Sequence, residues 1–563
     1  MWRGWRVWQH GLHTSSRVLL TGKTKVAAKA PFLLPQGWEA VIGIECHAQL
    51  LASTKLFSDA PPPTLDAEPN TCVAPYDAGF PGTLPRLQPA AVTAALKAAL
   101  ALQCNIVPIS LFDRKHYFYA DLPFGYQITQ KRKPFAHSGR VSICYEDGYL
   151  ASQDAALDVP IEHLQLEQDT AKSTYAATDT VVHLSLLDFN RAGVALVEIV
   201  SAPVLRTSEQ AGAYVRKLRQ LLRCVGASDG NMNEGSLRCD ANVSVRRKGE
   251  EFGTRCEVKN LNSVKFMMHA LDYEIQRQYN LLARGEPVTQ ETRGFDEASG
   301  TTYTLRDKEK SVDYRFMPEP NVGPLRITRD RIEALRAALP ELPDARHKRL
   351  REQYGLSPRD INVLMRLNAE DDTRGPSDNV ATHTNYAYFA NAVDYFEALV
   401  RLKCPPQVAA NWTIHLLPKH LGAMDLPFCL NPLPPAVVAE LVLMVDEELI
   451  TRTYGPLTAE STANSLLRDF IQARSFPTTP AGELAVRSHV REQALHRLQR
   501  SELVPICADV VAHFPEEVAV IRKGKDKVLM RLVGEAMRLT QGRADPAQLT
   551  EVLREEVAKA PST

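Results

Sequence analysis

A chain of 563 residues exceeds what one hydrophobic core can organise, so several compact units are expected. Hydrophobic residues make up 44% and charged residues 23%, the balance of ordinary globular protein, and no apolar run is long enough to span a bilayer, so neither a transmembrane role nor a membrane partner is expected. Lys plus Arg equal Asp plus Glu at 66 each, so contact with a nucleic acid must come from a local basic patch rather than a global field.

Residues 1–32 begin MWRGWRVWQHGLHTSSRVLLTGKTKVAAKA, basic and free of acids, with Ser and Thr interspersed and Trp2, Trp5 and Trp8 beside Arg3 and Arg6. That is the composition of a mitochondrial transit peptide; a basic tail is the alternative. TGKTK in this segment lacks the upstream glycine and strand of a phosphate-cradling loop, and no such loop occurs elsewhere. Residues 36–325 are rich in short alternating or apolar runs, AVIGIECHAQL, GRVSICY, LVEIVSAP and DANVSVR, with Asp147-Gly148 between VSICY and YLAS as a hairpin signal. Two helices interrupt them: SEQAGAYVRKLRQLLRCVG, with Ser208 as N-cap and Gly226 past its end, and NSVKFMMHALDYEIQRQYNLLARG. The expected class is α+β with an antiparallel-sheet core. After DYRFMPEPNVGP the texture turns charged, leucine-spaced and helical, which predicts an all-α domain over 326–480. Within it NAEDDTRGPSDNVATHTN reads as a loop, and beyond the polar break ARSFPTTPAGE a small helical tail domain is expected over 485–563.

A strand puts alternate side chains on one face, so Glu45 and His47 of GIECHAQL stand together about 7 Å apart. The same spacing pairs Glu167 with Asp169, Asp240 with Asn242, and Glu257 with Lys259. Glu198 is alone inside VALVEIVS, where an unpaired buried carboxylate would be costly or protonated. A divalent cation can partner several carboxylates at once, and oxygen-rich donors with one imidazole and no thiolate suit Mg2+ or Mn2+, which share phosphate oxygens with substrates. Each acid taken singly is equally a solvated strand residue or half of an ion pair. Lys172, Arg191 and Lys259 offer charge to phosphate oxygens, with a plain surface cation as the alternative for each.

KHYFYADLPFGYQITQ, starting at Lys115, packs Tyr117, Phe118, Tyr119, Phe124 and Tyr126 between polar residues, a pattern of RNA base stacking or of core packing. Lys523, Lys525 and Lys527 at a helix start, with Arg543 in the following turn, make a cationic edge that suits an RNA backbone or merely solvent. Ten scattered cysteines without a C-x-x-C pair read as reduced, mostly buried thiols and not as a zinc ribbon.

In order along the chain, IGIECHAQL, FPGTLPRLQP, KHYFYADLPFGYQITQ, LEQDTAKS, DFNRAGVALVEIVSAP, NEGSLRCDANVSVR, EVKNLNSV, DYRFMPEPN and KGKDKVLMRLVGEAMRLTQGRADP resemble the GatB family, the B subunits of the glutamyl-tRNA(Gln) amidotransferase. The resemblance runs from about residue 38 to the C-terminus, and the basic leader resembles that of mitochondrial members. It implies a cradle-like catalytic domain followed by helical and tail domains that hold tRNA. It also implies ATP and Mg2+ as cofactors, and phosphorylation of the glutamate side chain of misacylated Glu-tRNA(Gln), whose acyl phosphate is then converted by ammonia to Gln-tRNA(Gln). By matching motif, Glu45 and His47 of IECH, Glu167 of LEQD and Glu198 of LVEIV fall on metal-binding positions, with Asp240 of RCDAN as a further ligand and Asp169 and Glu257 as additional candidates. Beside these, the residues themselves offer Lys115, Tyr117, Tyr119, Lys172, Arg191 and Lys259 as candidate substrate and phosphate contacts, and Lys523, Lys525, Lys527 and Arg543 as candidate tRNA contacts.

The chain has no Ser-Ser-Lys amidase signature, so the glutaminase is expected on a partner that resembles the family's A subunit, bridged by a small C subunit, in the mitochondrial matrix. Two departures stand out. EQDTAKS has Gln168 and Ala171 where relatives often have an acid and a glycine, and Cys72 is single where some relatives have a pair, so no structural zinc is expected. Two other readings compete: a tRNA-binding scaffold without catalysis, and an ATP-dependent carboxylate-amine ligase acting on a small metabolite.

Overall fold

The computed structural model describes residues 32–176, 184–307, 313–367, 391–424, 426–447, 498–522, 526–540 and 544–559. Its strands in chain order are β1 (Trp38–Gln49), β2 (Asn105–Ile106), β3 (Ile109–Ser110), β4 (Asp113–His116), β5 (Tyr126–Thr129), β6 (Ala136–Ile143), β7 (Leu157–Gln168), β8 (Lys172–Ala176), β9 (Leu184–Asp188), β10 (Ala195–Ser201), β11 (Leu237–Arg247), β12 (Cys256–Val258), β13 (Glu291–Asp296), β14 (Thr301–Asp307), β15 (Met317–Pro318) and β16 (Leu325–Arg326). Among the described residues, nine strands form one sheet in the order β14-β13-β12-β11-β1-β10-β7-β6-β2. All its neighbours are antiparallel except β12 and β13. This is the α+β architecture expected of the first half of the chain.

Alternation explains the layering. Ile42, Ile44, Cys46 and Ala48 of β1 are buried on one face, together with Leu164, Leu166, Val197, Ile199, Ala241 and Val243 of its neighbours. Each large apolar side chain so buried contributes about 1.5–3 kcal/mol. Helices α1 (Pro89–Ala101), α2 (Ser208–Cys224) and α3 (Val264–Ala283) supply Leu96, Tyr214, Leu218, Met267 and Leu271 to the same core. The N-cap of α2 is Thr207 and not Ser208: Thr207 keeps extended backbone and its hydroxyl accepts from the Gln210 N–H, while Ser208 is already helical. Gly226 lies past the end in the left-handed region at φ +63°.

β6 and β7 do form an antiparallel pair, but YLAS is not the returning strand. Residues 144–156 intervene, with single 3-10 turns at Tyr145–Asp147 and Gln153–Ala155, and Ile143 pairs with Leu157. The reason is tertiary: Asp147 is drawn to Lys217 of α2, its carboxylate 2.6 Å from the lysine Nζ.

Helix α4 (Arg329–Ala337) belongs to the helical texture of the sequence yet packs against α1, and Leu325, Ile327 and Leu342 still touch the first core. Packing therefore changes later than composition does. A second core begins at Leu350 in α5 (Pro343–Tyr354), includes Ile361 of α6 (Pro358–Arg366), and continues through Tyr395, Phe396, Trp412 and Val438. A third, around Leu503, Leu532 and Leu549, is built by helices Arg500–His513, Pro515–Arg522, Leu529–Leu539 and Pro546–Lys559. The second unit docks on the first through Lys217, which also bonds Asp344 of α5, and through Asn362 and Arg366, which donate to backbone carbonyls of the 3-10 turn. The basic leader, the NAEDDTRGPSDNVATHTN loop and the ARSFPTTPAGE break lie outside the described residues. Among those described, no helix is long and apolar enough to cross a membrane, and the ten cysteines are unbridged, most of them buried.

Candidate metal and phosphate site

The site follows from register. β1 lies between β10 and β11, so Glu45 stands opposite Asp240, and His47 stands opposite Glu198, which in turn faces Gln165 of β7. Period-two alternation sends all of these, with Glu167, to the face that the helices leave uncovered, while Cys46 and Cys239 point into the core. The β4–β5 hairpin reaches over this face: the Thr129 hydroxyl donates to Glu167 at 2.7 Å, and Lys115 Nζ is 3.7 Å from the other Glu167 oxygen.

His47 Nε2 is 3.8 Å from Glu45 Oε1 and 3.5 Å from Glu198 Oε2. One donor atom each from Glu45, His47 and Asp240, and one each from His47, Glu167 and Glu198, lie within 4.8 Å of one another. Ligand atoms around a small octahedral cation stand about 3–4 Å apart, so modest side-chain adjustment closes either group on an ion. Gln165 Nε2 donates to Glu198 Oε2 at 2.6 Å and to Thr129 Oγ1 at 3.2 Å. Its amide oxygen is buried and meets no hydrogen-bond donor among the described residues. A leftover buried acceptor beside clustered carboxylates fits a cation site, and a donor set of carboxylates plus one imidazole without thiolate fits Mg2+ or Mn2+.

Burial raises Glu45, with the Glu198 charge adding to it, and burial also raises Glu167 against the pull of Lys115. Glu198 goes the other way: burial opposes its charge, but His47, Lys115 and Gln165 hold it down to about 2. His47 is disfavoured as imidazolium by burial, yet Glu198, Glu167 and Glu45 outweigh this and raise it to about 9. In the metal-free protein His47 is thus one countercharge of the cluster, beside Lys115 and Lys259. Its folded value exceeds the ordinary 6.5, so the stability it contributes is complete below pH 6.5 and is lost as pH rises through about 9. In EDTA the melting temperature of the native protein should fall over that window relative to His47→Gln. Millimolar Mg2+ should flatten the fall, because a metal takes the neutral imidazole. Parallel melting profiles for the two proteins in EDTA would show that His47 is not protonated there.

The other expected residues distribute unevenly. Asp169, expected as a ligand, instead pairs with Arg238 at 2.8 Å and Arg191 at 3.7 Å, outside both cation-sized groups. Arg191 further donates to the carbonyls of Thr170 and Ala171, which ties it to the EQDTAKS turn. Ala171 is fully buried there, its N–H donating to the Asp121 carbonyl. Glu257, also expected as a ligand, is likewise outside those groups: Lys259 Nζ bridges it and Asp240 at 3.1 Å each, and the opposing acids raise that lysine despite its burial. Lys172 is exposed on β8 opposite Asp188, away from the cluster.

The Tyr117 hydroxyl donates to Gln127, its ring meets Tyr314 edge-on, and Lys115 Nζ lies 5.3 Å from the Tyr314 ring centre. Phe118 and Tyr119 are 82% and 61% exposed, whereas Phe124 and Tyr126 pack toward Tyr76 and each other, so the aromatic run divides between a free surface and a packed one. The Cys72 N–H is clamped by Asn190 at 2.7 Å. Lys527 is exposed, and Lys523, Lys525 and Arg543 lie outside the described residues. Gln165, Thr129 and Arg238 went unmarked in the sequence. The two-residue spacing from Glu167 and Asp240 places Gln165 and Arg238 on this face, but nothing local marks Thr129.

Residues 40–333 match the GatB/GatE catalytic domain, and residues 394–557 match the GatB domain. The chain is 45% identical to the B subunit of the mitochondrial glutamyl-tRNA(Gln) amidotransferase of Mycosarcoma maydis, over 93% of this chain and 87% of the relative. It is 39% identical to the mitochondrial protein of the same name in Danio rerio, over 93% and 90%. To the B subunit of the aspartyl/glutamyl-tRNA(Asn/Gln) amidotransferase of Thermosynechococcus vestitus it is again 39% identical, over 92% and 96%.

Proposed function

As the chain belongs to the GatB family, the B subunits of the glutamine-hydrolysing tRNA amidotransferases, we propose that its uncovered sheet face activates the side chain of misacylated Glu-tRNA(Gln) with ATP. The observation that carries this reading is the convergence of Glu45, His47, Glu167, Glu198 and Asp240 on one sheet face beside Lys115 and Lys259. Ammonia attacking a bare carboxylate would have to expel oxide. A γ-carboxylate oxygen therefore attacks the terminal phosphorus of ATP, the bond to the bridging oxygen breaks and ADP leaves. Ammonia then adds to the acyl carbon, the acyl C–O bond breaks, and inorganic phosphate departs carrying the proton that the nitrogen gives up.

Glu45, His47, Glu167, Glu198 and Asp240 would hold Mg2+, which when bound neutralises charge on the phosphate oxygens. Gln165 and Thr129 fix the orientation of Glu198 and Glu167, while Lys115 and Lys259 set positive charge beside the same face. Exposed Phe118 and Tyr119 offer stacking surfaces to the single-stranded RNA end, and Lys527, with Lys523, Lys525 and Arg543, holds the RNA backbone without reading sequence.

Ammonia comes from a partner glutaminase, the A subunit of the complex, with the small C subunit bridging, in mitochondrial translation within the matrix. Purified alone, this chain should release no ammonia from glutamine; release would end this division of labour. In the reconstituted complex, misacylated tRNA, ATP and ammonium should yield ADP only when glutamyl-tRNA is present. tRNA binding without ADP would make the chain a scaffold, and ADP formation with free glutamate would make it a small-metabolite ligase.

A further inference from the structure

A cavity of about 1080 Å³ opens between the sheet unit and the second core. It is lined by α2 and α3, the helices that cover the sheet face opposite the metal site, and by α5 and α6. Arg216, Arg219 and Arg223 recur at helical spacing along α2, and Arg346 of α5 and Arg366 of α6 complete a basic lining in which Glu209 is the one carboxylate among the described residues.

Of these cations, Arg346 has a carboxylate partner, Glu341 at 3.5 Å. Arg219 Nε instead donates to the Gly230 carbonyl, Arg366 to the carbonyls of Asp147 and Gly148, and Arg216 touches the Met268 sulfur. Among the described residues, none of these three has a carboxylate at ion-pair distance. The ring of Tyr149 lies between two of them, 5.7 Å from the Arg216 guanidinium carbon and 4.9 Å from that of Arg366. Burial holds Arg216 below its ordinary value; Tyr149 and Glu209 oppose this, while the neighbouring Arg366 and Arg219 push in the same direction as burial.

Like charges gathered in a half-buried cleft repel one another, and the repulsion is relieved by an oxyanion. The planar fork of arginine suits phosphate, and several forks on separate elements suit a run of phosphates. A metal-chelated free nucleotide would need carboxylates for its ion, which this lining does not supply beyond Glu209. We infer that this cleft binds phosphate groups of a polynucleotide backbone, at a place separate from the metal site. In taking RNA as the source, the inference rests on the tRNA-binding reading above.

The test is fluorescence anisotropy of the full chain with labelled tRNA transcript, and separately with Mg-ATP and pyrophosphate. Two variants are compared with wild type: R216Q/R366Q, and Q220E, which sets an acid one turn from Arg216 without removing an arginine. Each should weaken tRNA binding about tenfold at near-physiological salt, and the double variant should lower the salt slope by about 2, with Mg-ATP affinity unchanged. A wild-type chain that binds no tRNA would overturn the function proposed above. A wild-type chain that binds tRNA no better than Q220E, which should melt normally, would overturn this inference alone. Weakened pyrophosphate or ATP binding with unchanged tRNA binding would assign the cleft to a free nucleotide and refute the polynucleotide. Lost association with the partner subunits, RNA binding unchanged, would assign it to an acidic peptide and refute the polynucleotide equally.

Discussion

Glu198→Gln should leave tRNA binding intact and slow acyl-phosphate formation by about 10²–10³-fold, the usual cost of removing one preorganised electrostatic group. The substitution preserves volume and hydrogen-bonding reach at a position that is only 8% exposed, so packing against β1 and β7 survives. What disappears is the charge that His47 approaches at 3.5 Å, and to which Gln165 donates. Because His47, Lys115 and Gln165 favour the ionised carboxylate, removing its charge should also lower the melting temperature somewhat, so binding and transfer are compared well below the melting transition. Single-turnover transfer of labelled phosphate, run beside tRNA binding on the same preparation, separates the two effects. Undiminished transfer would remove Glu198 from the proposed machinery.

Lys217→Met should cost about 3–5 kcal/mol, the penalty for stripping one partner from a buried ion pair. Lys217 is 1% exposed, and its burial is balanced by Asp147 and Asp344. The methionine fills the same space but leaves the Asp147 side chain, 9% exposed, without its cation. That aspartate sits in the 3-10 turn gripped by Asn362 and Arg366, so the damage falls on the docking of the second core against the first. The urea midpoint should drop accordingly, and Lys217→Arg should recover part of it. An unchanged midpoint would mean that water reaches Asp147 in the native state.

Much of the site was legible in the sequence because strand alternation is a local rule. Glu45 and His47 announce a shared face, and Glu198 is conspicuous in an apolar run. The same rule is silent on register: no neighbouring residue tells Glu45 that its partner will be Asp240, 195 positions later. It also treats Asp169 and Asp240 alike, although two arginines claim Asp169 while Asp240, paired with Lys259, still stands within a cation-sized group with Glu45 and His47. The fold class followed from texture, but α4 shows the limit, since a charged helix reads as part of the helical region until α1 is there to receive it. Arg216 and Arg219 look like a solvated stripe on α2, and only the approach of α5 and α6 turns that stripe into a wall of a cleft.

The central position of β1 carries a consequence for how the protein is made. Both of its neighbours, β10 and β11, come from residues 195–201 and 237–247, so β1 waits about 150 residues of synthesis for an edge to join. At about 5–20 residues per second that wait is on the order of ten seconds. During it, a run containing Val41, Ile42 and Ile44 stays open to wrong partners, and the acidic face does not yet exist. Maturation of the nascent chain should therefore depend strongly on chaperone holding.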